Sequence, residues 1–226
     1  MHYLYLTVSF YAILLLIVLF GQTVRAAPLM KTDDAGIVDP GHCQVELDQV
    51  VSDSQISQVN LTPACNFANV EFGLPLSWDD GEQRYALQAK KTLFQAERVP
   101  VALAASLTWQ PKQQHEKDHV HLNIPVSYYL NDHVQIDANL GMYRQDHDNE
   151  TTWAVASTYS FADVHGVSLE FFKLDSDKTS SQVVYHYHVI PDQVSLFASY
   201  GHALNSSDKS WAGLGISWAM ARSKNK

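Results

Sequence analysis

The stretch Val120-His-Leu-Asn-Ile-Pro-Val-Ser-Tyr-Tyr-Leu130 alternates between two kinds of side chain. Every second residue from Val120 to Leu130 is apolar or aromatic, whereas the residues between them include His121, Asn123 and Ser127. A period of two is the period of a β-strand, and about ten tilted residues cross the apolar core of a bilayer. The stretch therefore predicts a membrane-spanning strand.

The same alternation recurs along the chain and predicts an all-β fold, a transmembrane antiparallel up-and-down β-barrel of about twelve strands. The predicted strands are 44–51, 59–66, 70–78, 85–95, 99–109, 120–130, 134–144, 152–161, 167–174, 182–190, 194–203 and 211–220. Pro63 interrupts the second of these, because proline donates no ladder hydrogen bond. Ten strands, with residues 43–65 capping the periplasmic end, is the alternative.

Short turns and longer polar connections alternate between the predicted strands. Tight turns are expected at 97–98, 131–132, 162–166 and 191–192, and longer loops at 79–83, 111–119, 145–151, 175–181 and 205–210. Bacterial barrels have short periplasmic turns, long external loops and an even number of strands that leaves both termini in the periplasm. The pattern predicts the bacterial outer membrane as the location.

The first residues of the chain are typical of an exported protein. Residues 11–20 are apolar, and Val24-Arg25-Ala26 offers a small-residue cleavage site, so residues 1–26 are a predicted signal peptide. We expect a periplasmic segment at 27–42, the barrel at 43–220 and a polar tail at 221–226. The whole chain has a formal net charge of −9, which argues against a nucleic-acid partner.

Cys43 and Cys65 are the two cysteines of the chain. In an oxidising compartment they are expected to pair. In the predicted first hairpin both lie at the periplasmic rim, where antiparallel neighbours come within about 5.5 Å between Cα atoms.

The N-terminal region resembles outer-membrane proteins assigned to the MetA pathway of phenol degradation or described as transporters. In that family a Thr-Asp-Asp stretch leads to a Gly-His-x-Gln-x-Glu first strand, matched here by residues 32–34 and 41–46. Residues 69–73 and 88–94 are similar to later elements, and the resemblance is strongest over 31–95. It implies a barrel with a transport role and does not identify phenol as the solute. The cysteines are outside the family pattern.

With the apolar set facing lipid, strand parity predicts which side chains line the lumen. The candidates for a lumen or constriction site are Glu46, Asp48, Glu71, Lys90, Asp137, Glu170 and His186. Small residues on the same face include Gly73, Ala102, Ala104, Gly213 and Gly215. Lys90 has two interpretations, a structural partner for Glu71 and Glu46 or one side of a constriction. Glu170 is expected opposite His186 across one hairpin.

No metal, cofactor or catalytic site is predicted. His186 and His188 are spaced i, i+2 but have a simpler interpretation as hydrogen-bonding residues, and no Gly-x-Ser-x-Gly motif occurs. The predicted protein is a monomer in outer-membrane lipid that acts as a passive channel or transporter for an unknown small solute. A non-conducting structural or surface barrel is the alternative, and a lipid-modifying enzyme is disfavoured. Excess lumenal acid predicts a bias toward cations or neutral solutes.

Overall fold

A computed structural model describes residues 28–52, 55–79, 81–95, 99–113, 117–146, 148–174, 179–204 and 210–220, with only the backbone at 55 and 56. Within these ranges the regular structure is entirely β. The predicted signal peptide, the tail at 221–226 and the turn at 97–98 lie outside the described residues. In the described part of the chain, no helix has the length and apolarity needed to cross a membrane.

Fourteen strand segments follow one another along the chain. They are β1 (Cys43–Ser52), β2 (Gln55–Phe67), β3 (Val70–Gly73), β4 (Leu76–Asp79), β5 (Glu82–Tyr85), β6 (Leu87–Gln95), β7 (Val101–Gln110), β8 (His119–Asn131), β9 (Val134–Gln145), β10 (Asp148–Phe161), β11 (His165–Lys173), β12 (Ser180–Ile190), β13 (Val194–Ala203) and β14 (Ser210–Met220). Each pairs antiparallel with its neighbours, and β1 pairs with both β2 and β14, which closes the sheet.

The closed barrel has twelve strands, because four of the short segments combine into two strands. Both β3 and β4 pair with β2 in one continuous register, with a break at Leu74 and Pro75. On the neighbouring strand, β5 and β6 are separated by Ala86, whose N–H donates to the Pro75 carbonyl at 2.8 Å. Pro75 has no N–H to donate, so the ladder is interrupted at this point. The twelve-strand prediction is confirmed.

The ten-strand alternative is wrong. β1 and β2 pair along their length and include Val45 opposite Pro63, so the first hairpin is part of the wall. Pro63 is accommodated since its carbonyl still accepts a hydrogen bond, from the Leu74 N–H at 2.9 Å.

Alternation along each strand separates an apolar outer face from a polar inner face. In β8, Leu122 is 41% exposed while its neighbour Asn123 is 8% exposed. Successive side chains of a strand point to opposite sides, so this difference assigns Leu122 to the outside and Asn123 to the lumen. An apolar exterior and a polar interior are typical of a membrane barrel.

Two connections are shorter than the sequence pattern predicted. Asp79 pairs with Glu82 and Gln145 pairs with Asp148, which leaves two-residue turns in place of the expected long loops at 79–83 and 145–151. Gly81 and Asp146 have positive φ angles of 82° and 51°, as tight hairpin turns require. Polar residues extend these strands beyond the bilayer-spanning length, so polarity alone overestimated the loops.

The disulfide prediction is confirmed. Cys43 is directly opposite Cys65, with 4.0 Å between their Cα atoms, and the two sulfurs are bonded. Cys43 also lies opposite Met220 of the last strand. The bridge therefore lies at the rim where the wall begins and ends.

Candidate functional site

Residues 28–38, here called the inner segment, lie inside the barrel. Leu29, Thr32, Ala35 and Val38 are each at most 5% exposed, although none belongs to a strand. The sequence predicted a periplasmic segment at 27–42, which includes this stretch. Its peptide groups contact inward-facing side chains of the wall, and these contacts place it in the lumen. Buried peptide groups require hydrogen-bond partners, and the polar inner face supplies them.

Glu170 on β11 is fully buried and binds the start of the inner segment. Its carboxylate accepts hydrogen bonds from the Lys31 N–H at 3.0 Å, the Thr32 N–H at 2.8 Å and the Thr32 hydroxyl at 2.7 Å. Gln182 donates to the same carboxylate, and it also donates to the Leu29 carbonyl at 2.8 Å. Hydrogen bonds to an ionised acceptor are stronger than those between neutral groups. Glu170 is therefore the main anchor of the segment.

Two further strands bind the middle of the inner segment. Asn139 accepts from the Asp33 N–H and donates to the Asp33 carbonyl, both at 2.7 Å. Its side-chain amide therefore makes the pair of backbone hydrogen bonds that a neighbouring strand would make. Ser127 on β8 accepts from the Ala35 N–H at 2.8 Å and donates to Asp137 at 2.6 Å. Asp137 thus orients the serine that binds the segment.

The end of the inner segment binds the opposite wall. Glu71 on β3 accepts from the Val38 N–H at 2.7 Å, and Asn66 on β2 donates to the Val38 carbonyl. Between these anchors the Lys90 ammonium lies 2.6 Å from Asp33 and 3.5 Å from Asp34. The segment therefore crosses the lumen, with hydrogen bonds or ion pairs to side chains of β2, β3, β6, β8, β9, β11 and β12.

Small residues on the inner face of the wall leave space for the inner segment. A Cβ at Gly213 would lie 2.7 Å from Leu29 Cδ2, closer than packed atoms tolerate, and Leu29 packs against Val184 and Phe197. Ala35 packs against Ala102 and Ala104. The row of small inward residues was the sequence signal that a further element could fill the lumen.

A cavity of about 400 Å³ remains beside the inner segment. Its lining includes Gln44, Glu46, Glu71, Lys90, His121 and Asp137. The lining is rich in carboxylates, which also include Asp33 and Asp34 of the inner segment.

Most of the predicted lumen residues lie on the inner surface of the barrel, but they contact different groups. Glu46, Glu71, Lys90, Asp137 and His186 line the cavity. Asp48 is buried and accepts from Asn60 at 2.8 Å. The Glu170 carboxylate is already hydrogen-bonded to the inner segment. Whether any of these residues forms a constriction for a solute stays a prediction.

One expected pairing differs from the observed register, and the side chain of a second pair contacts other partners. Glu170 lies opposite Gln182, and His186 lies opposite Gly166 and contacts Ser168 at 2.7 Å between Nε2 and Oγ. The expected Glu170–His186 pair is therefore wrong, because the hairpin register is shifted from the one assumed. Lys90 does lie opposite Glu71 in the ladder, but its ammonium extends to Asp33 and Asp34 of the inner segment.

Further charged pairs lie at or near the strand ends. Lys117 lies 2.5 Å from Asp146, and this carboxylate raises the pKa of the Lys117 ammonium. Arg84 contacts Asp79 at 3.4 Å and Glu82 at 3.2 Å on the β4–β5 hairpin. The Lys117–Asp146 pair is exposed, and exposed pairs stabilise a protein little.

Several histidines of the described residues contact serines and do not form a metal site. The described residues contain no group of three or more metal-ligating side chains suited to a metal ion. His188 contacts Ser195 at 2.7 Å, and His202 contacts Ser210 at 3.0 Å.

The fold is that of outer-membrane porins and channels. The KdgM porin superposes with a TM-score of 0.66 and 12% sequence identity, over 79% of this chain and 99% of that one. The NanC porin gives 0.60 and 9%, over 77% and 98%. The COG4313 outer membrane channel from Pseudomonas putida F1 gives 0.57 and 10%, over 87% and 100%. At these identities the likeness establishes the fold alone.

The chain belongs to the family described as uncharacterised conserved protein UCP029691, which it matches over residues 14–220. No curated protein matches it in sequence. The family match does not confirm the more specific MetA phenol-pathway resemblance.

Proposed function

We propose that this protein is a monomeric channel of the bacterial outer membrane that passes small solutes passively. The single observation that carries the proposal is the carboxylate-lined cavity of about 400 Å³ inside a closed twelve-stranded barrel. The apolar outer face supplies the contact with outer-membrane lipid. Similarity to outer-membrane porins supports both the location and the role.

The inner segment narrows this channel. It crosses the lumen and is held by hydrogen bonds to Glu170, Asn139, Ser127 and Glu71. A passage of this kind admits solutes of limited size through the space that the segment leaves. The same contacts favour a second function, a closed barrel that stabilises the envelope without conduction.

The charge of the lumen constrains the solute. One structural neighbour is a KdgM porin in complex with oligogalacturonate, an acidic oligosaccharide. The cavity here is lined by Glu46, Glu71 and Asp137, and such a surface repels polyanions. The proposed solutes are cationic or neutral. The MetA-type resemblance adds a transport role without assigning a solute.

Planar-bilayer recording of the purified, folded protein tests the proposal. We expect steady conductance with cation preference, since a carboxylate-lined passage concentrates cations. The control is the same detergent without protein, together with a known porin. If the porin conducts and this protein does not, the closed structural barrel replaces the channel.

Fractionation tests the location separately. The protein should partition with outer membranes and migrate differently in unheated detergent gels, because a closed hydrogen-bonded barrel resists unfolding. Recovery of soluble protein after osmotic shock would reject the membrane location.

A further inference from the structure

A row of four directly paired residues crosses the inner face of strands β11 to β14. Glu170 lies opposite Gln182, Gln182 lies opposite Gly201, and Gly201 lies opposite Trp211. Glu170 and Gln182 are both buried. Gly213, two residues after Trp211 on β14, is also buried. Residues two apart on a strand share a face, so the Trp211 side chain points into the lumen like the rest of the row.

The glycine in this row lets the indole of Trp211 cross a whole strand. A Cβ at Gly201 would overlap the Trp211 ring, so the ring lies directly over the backbone of β13. The indole thereby reaches β12, where Trp211 Nε1 donates a hydrogen bond to Gln182 Oε1 at 3.0 Å. Phe172 of β11 packs against the indole, with 6.3 Å between the ring centroids. Any side chain at position 201 would block this path.

The indole N–H determines the orientation of the Gln182 amide. An indole nitrogen is a donor only, so Gln182 must present its oxygen to Trp211 and its NH₂ group to the other side. On that side the NH₂ group donates to the Leu29 carbonyl at 2.8 Å and to the Glu170 carboxylate. A reversed amide would place its oxygen against these two acceptors and its NH₂ group against a donor. Trp211 therefore selects the orientation that binds the inner segment.

The oriented amide and its carboxylate neighbour bind the start of the inner segment together. Gln182 binds the Leu29 carbonyl, and Glu170 accepts from the Lys31 N–H at 3.0 Å and the Thr32 N–H at 2.8 Å. Gln182 also donates to Glu170, so the two groups form one network. A change in the Gln182 amide is therefore felt by three residues of the segment.

We propose that Trp211 is a positioning residue that keeps the inner segment across the lumen, acting through Gln182, and so sets how far the channel is narrowed. The inference rests on the proposed channel and adds the residue that controls its width. Trp211 lies opposite Ser52, at the far end of the β1–β14 ladder from Cys43. Loss of the indole hydrogen bond frees the start of the segment, whereas its end stays joined to β1.

Trp211→Phe tests this role, because it keeps an aromatic ring and removes the indole N–H. In the full-length, detergent-folded protein we expect hydrogen exchange at the Lys31 and Thr32 amides to accelerate by about fivefold, the effect of one typical hydrogen bond. Conductance in planar bilayers should rise. Trp218→Phe, exposed on the outer face, is the matched control and should change neither quantity. Unchanged exchange in folded Trp211→Phe would overturn the proposal.

A double-mutant cycle separates positioning from simple packing. If Trp211 acts through Gln182, Trp211→Phe should have no further effect on exchange in a Gln182→Leu background. Additive effects would mean that Trp211 stabilises the segment by another route, and the proposal would be rejected. Gly201→Ala should reproduce Trp211→Phe, because the new methyl group displaces the indole. Heat modifiability on detergent gels reports that each variant is folded.

Failure of this inference is distinguishable from failure of the channel. Faster exchange in Trp211→Phe, with no conductance in any variant, would support the positioning role and reject the channel. Conductance that is equal in the wild type and Trp211→Phe, with equal exchange, would overturn the inference and leave the channel intact. Faster exchange with equal conductance would refute the claim that the position of the segment sets the width of the channel.

Discussion

The Lys90 ammonium lies 2.6 Å from the Asp33 carboxylate, and this contact joins the wall of the barrel to the segment inside it. Asp33 is 57 residues away along the chain. Lys90 is 6% exposed, so its charge requires a partner. The pair joins β6 to the inner segment, together with the Thr92 hydroxyl, which donates to the Ala35 carbonyl at 2.9 Å.

Lys90→Ala should loosen the inner segment while the barrel stays folded. Removing one member of a buried pair leaves uncompensated charge, here on Asp33 and Asp34, and we expect a loss of about 3 kcal/mol. The temperature at which heat modifiability is lost should fall, and conductance and cation preference should rise. Lys112→Ala in an exposed connection is the matched control. A double-mutant cycle of Lys90→Ala with Asp33→Asn isolates the interaction between the two side chains. Additive effects of the two substitutions on the temperature at which heat modifiability is lost would contradict this interaction.

Glu170→Gln should release the start of the inner segment. The amide is isosteric but loses the charge and presents an NH₂ group toward the Lys31 and Thr32 N–H donors, so several charge-assisted hydrogen bonds weaken. Hydrogen exchange at the Lys31 and Thr32 amides should accelerate by about tenfold or more. Glu150→Gln, an exposed site on β10, provides the control. Unchanged protection would mean that Glu170 is not an anchor.

Gly213→Ala should displace Leu29. The new methyl group would lie 2.7 Å from Leu29 Cδ2 and from Ser199 Oγ, and overpacking of this kind costs about 1–3 kcal/mol. The expected readout is faster hydrogen exchange in the inner segment. Leu29→Ala in the same molecule removes the first clash and should restore part of the protection. If exchange is the same in the wild type and Gly213→Ala, the close contact with Leu29 is incorrect.

Reduction of the Cys43–Cys65 bond should lower the temperature at which heat modifiability is lost. The bridge closes a loop with a sequence separation of 22 residues, and the loop-entropy relation gives about 3 kcal/mol. The double variant Cys43→Ser, Cys65→Ser should match the reduced protein and should not respond to reductant. Thiol labelling of denatured, unreduced wild type should detect no free cysteine, and two labelled thiols would contradict the bond.

The sequence by itself determined the wall of the barrel. The sequence predicts that Asn123 faces inward, because its neighbours Leu122 and Ile124 are apolar and face the lipid. This alternation can be read within one strand. The number of strands and the two faces followed from that period, and the Cys43–Cys65 pairing followed from the oxidising compartment and the first predicted hairpin. Local patterns encode these features since the bilayer imposes one apolar face on every strand.

Only the tertiary structure decided what fills the lumen. Glu170 binds Thr32 across 138 residues, and no local period relates the two. The same applies to the shift that places Glu170 opposite Gln182 instead of His186, because register depends on the complete hairpin and its turn. The inner segment lacks strand alternation and is fixed by hydrogen bonds and ion pairs to side chains of seven strand segments, which come together only when the barrel has closed.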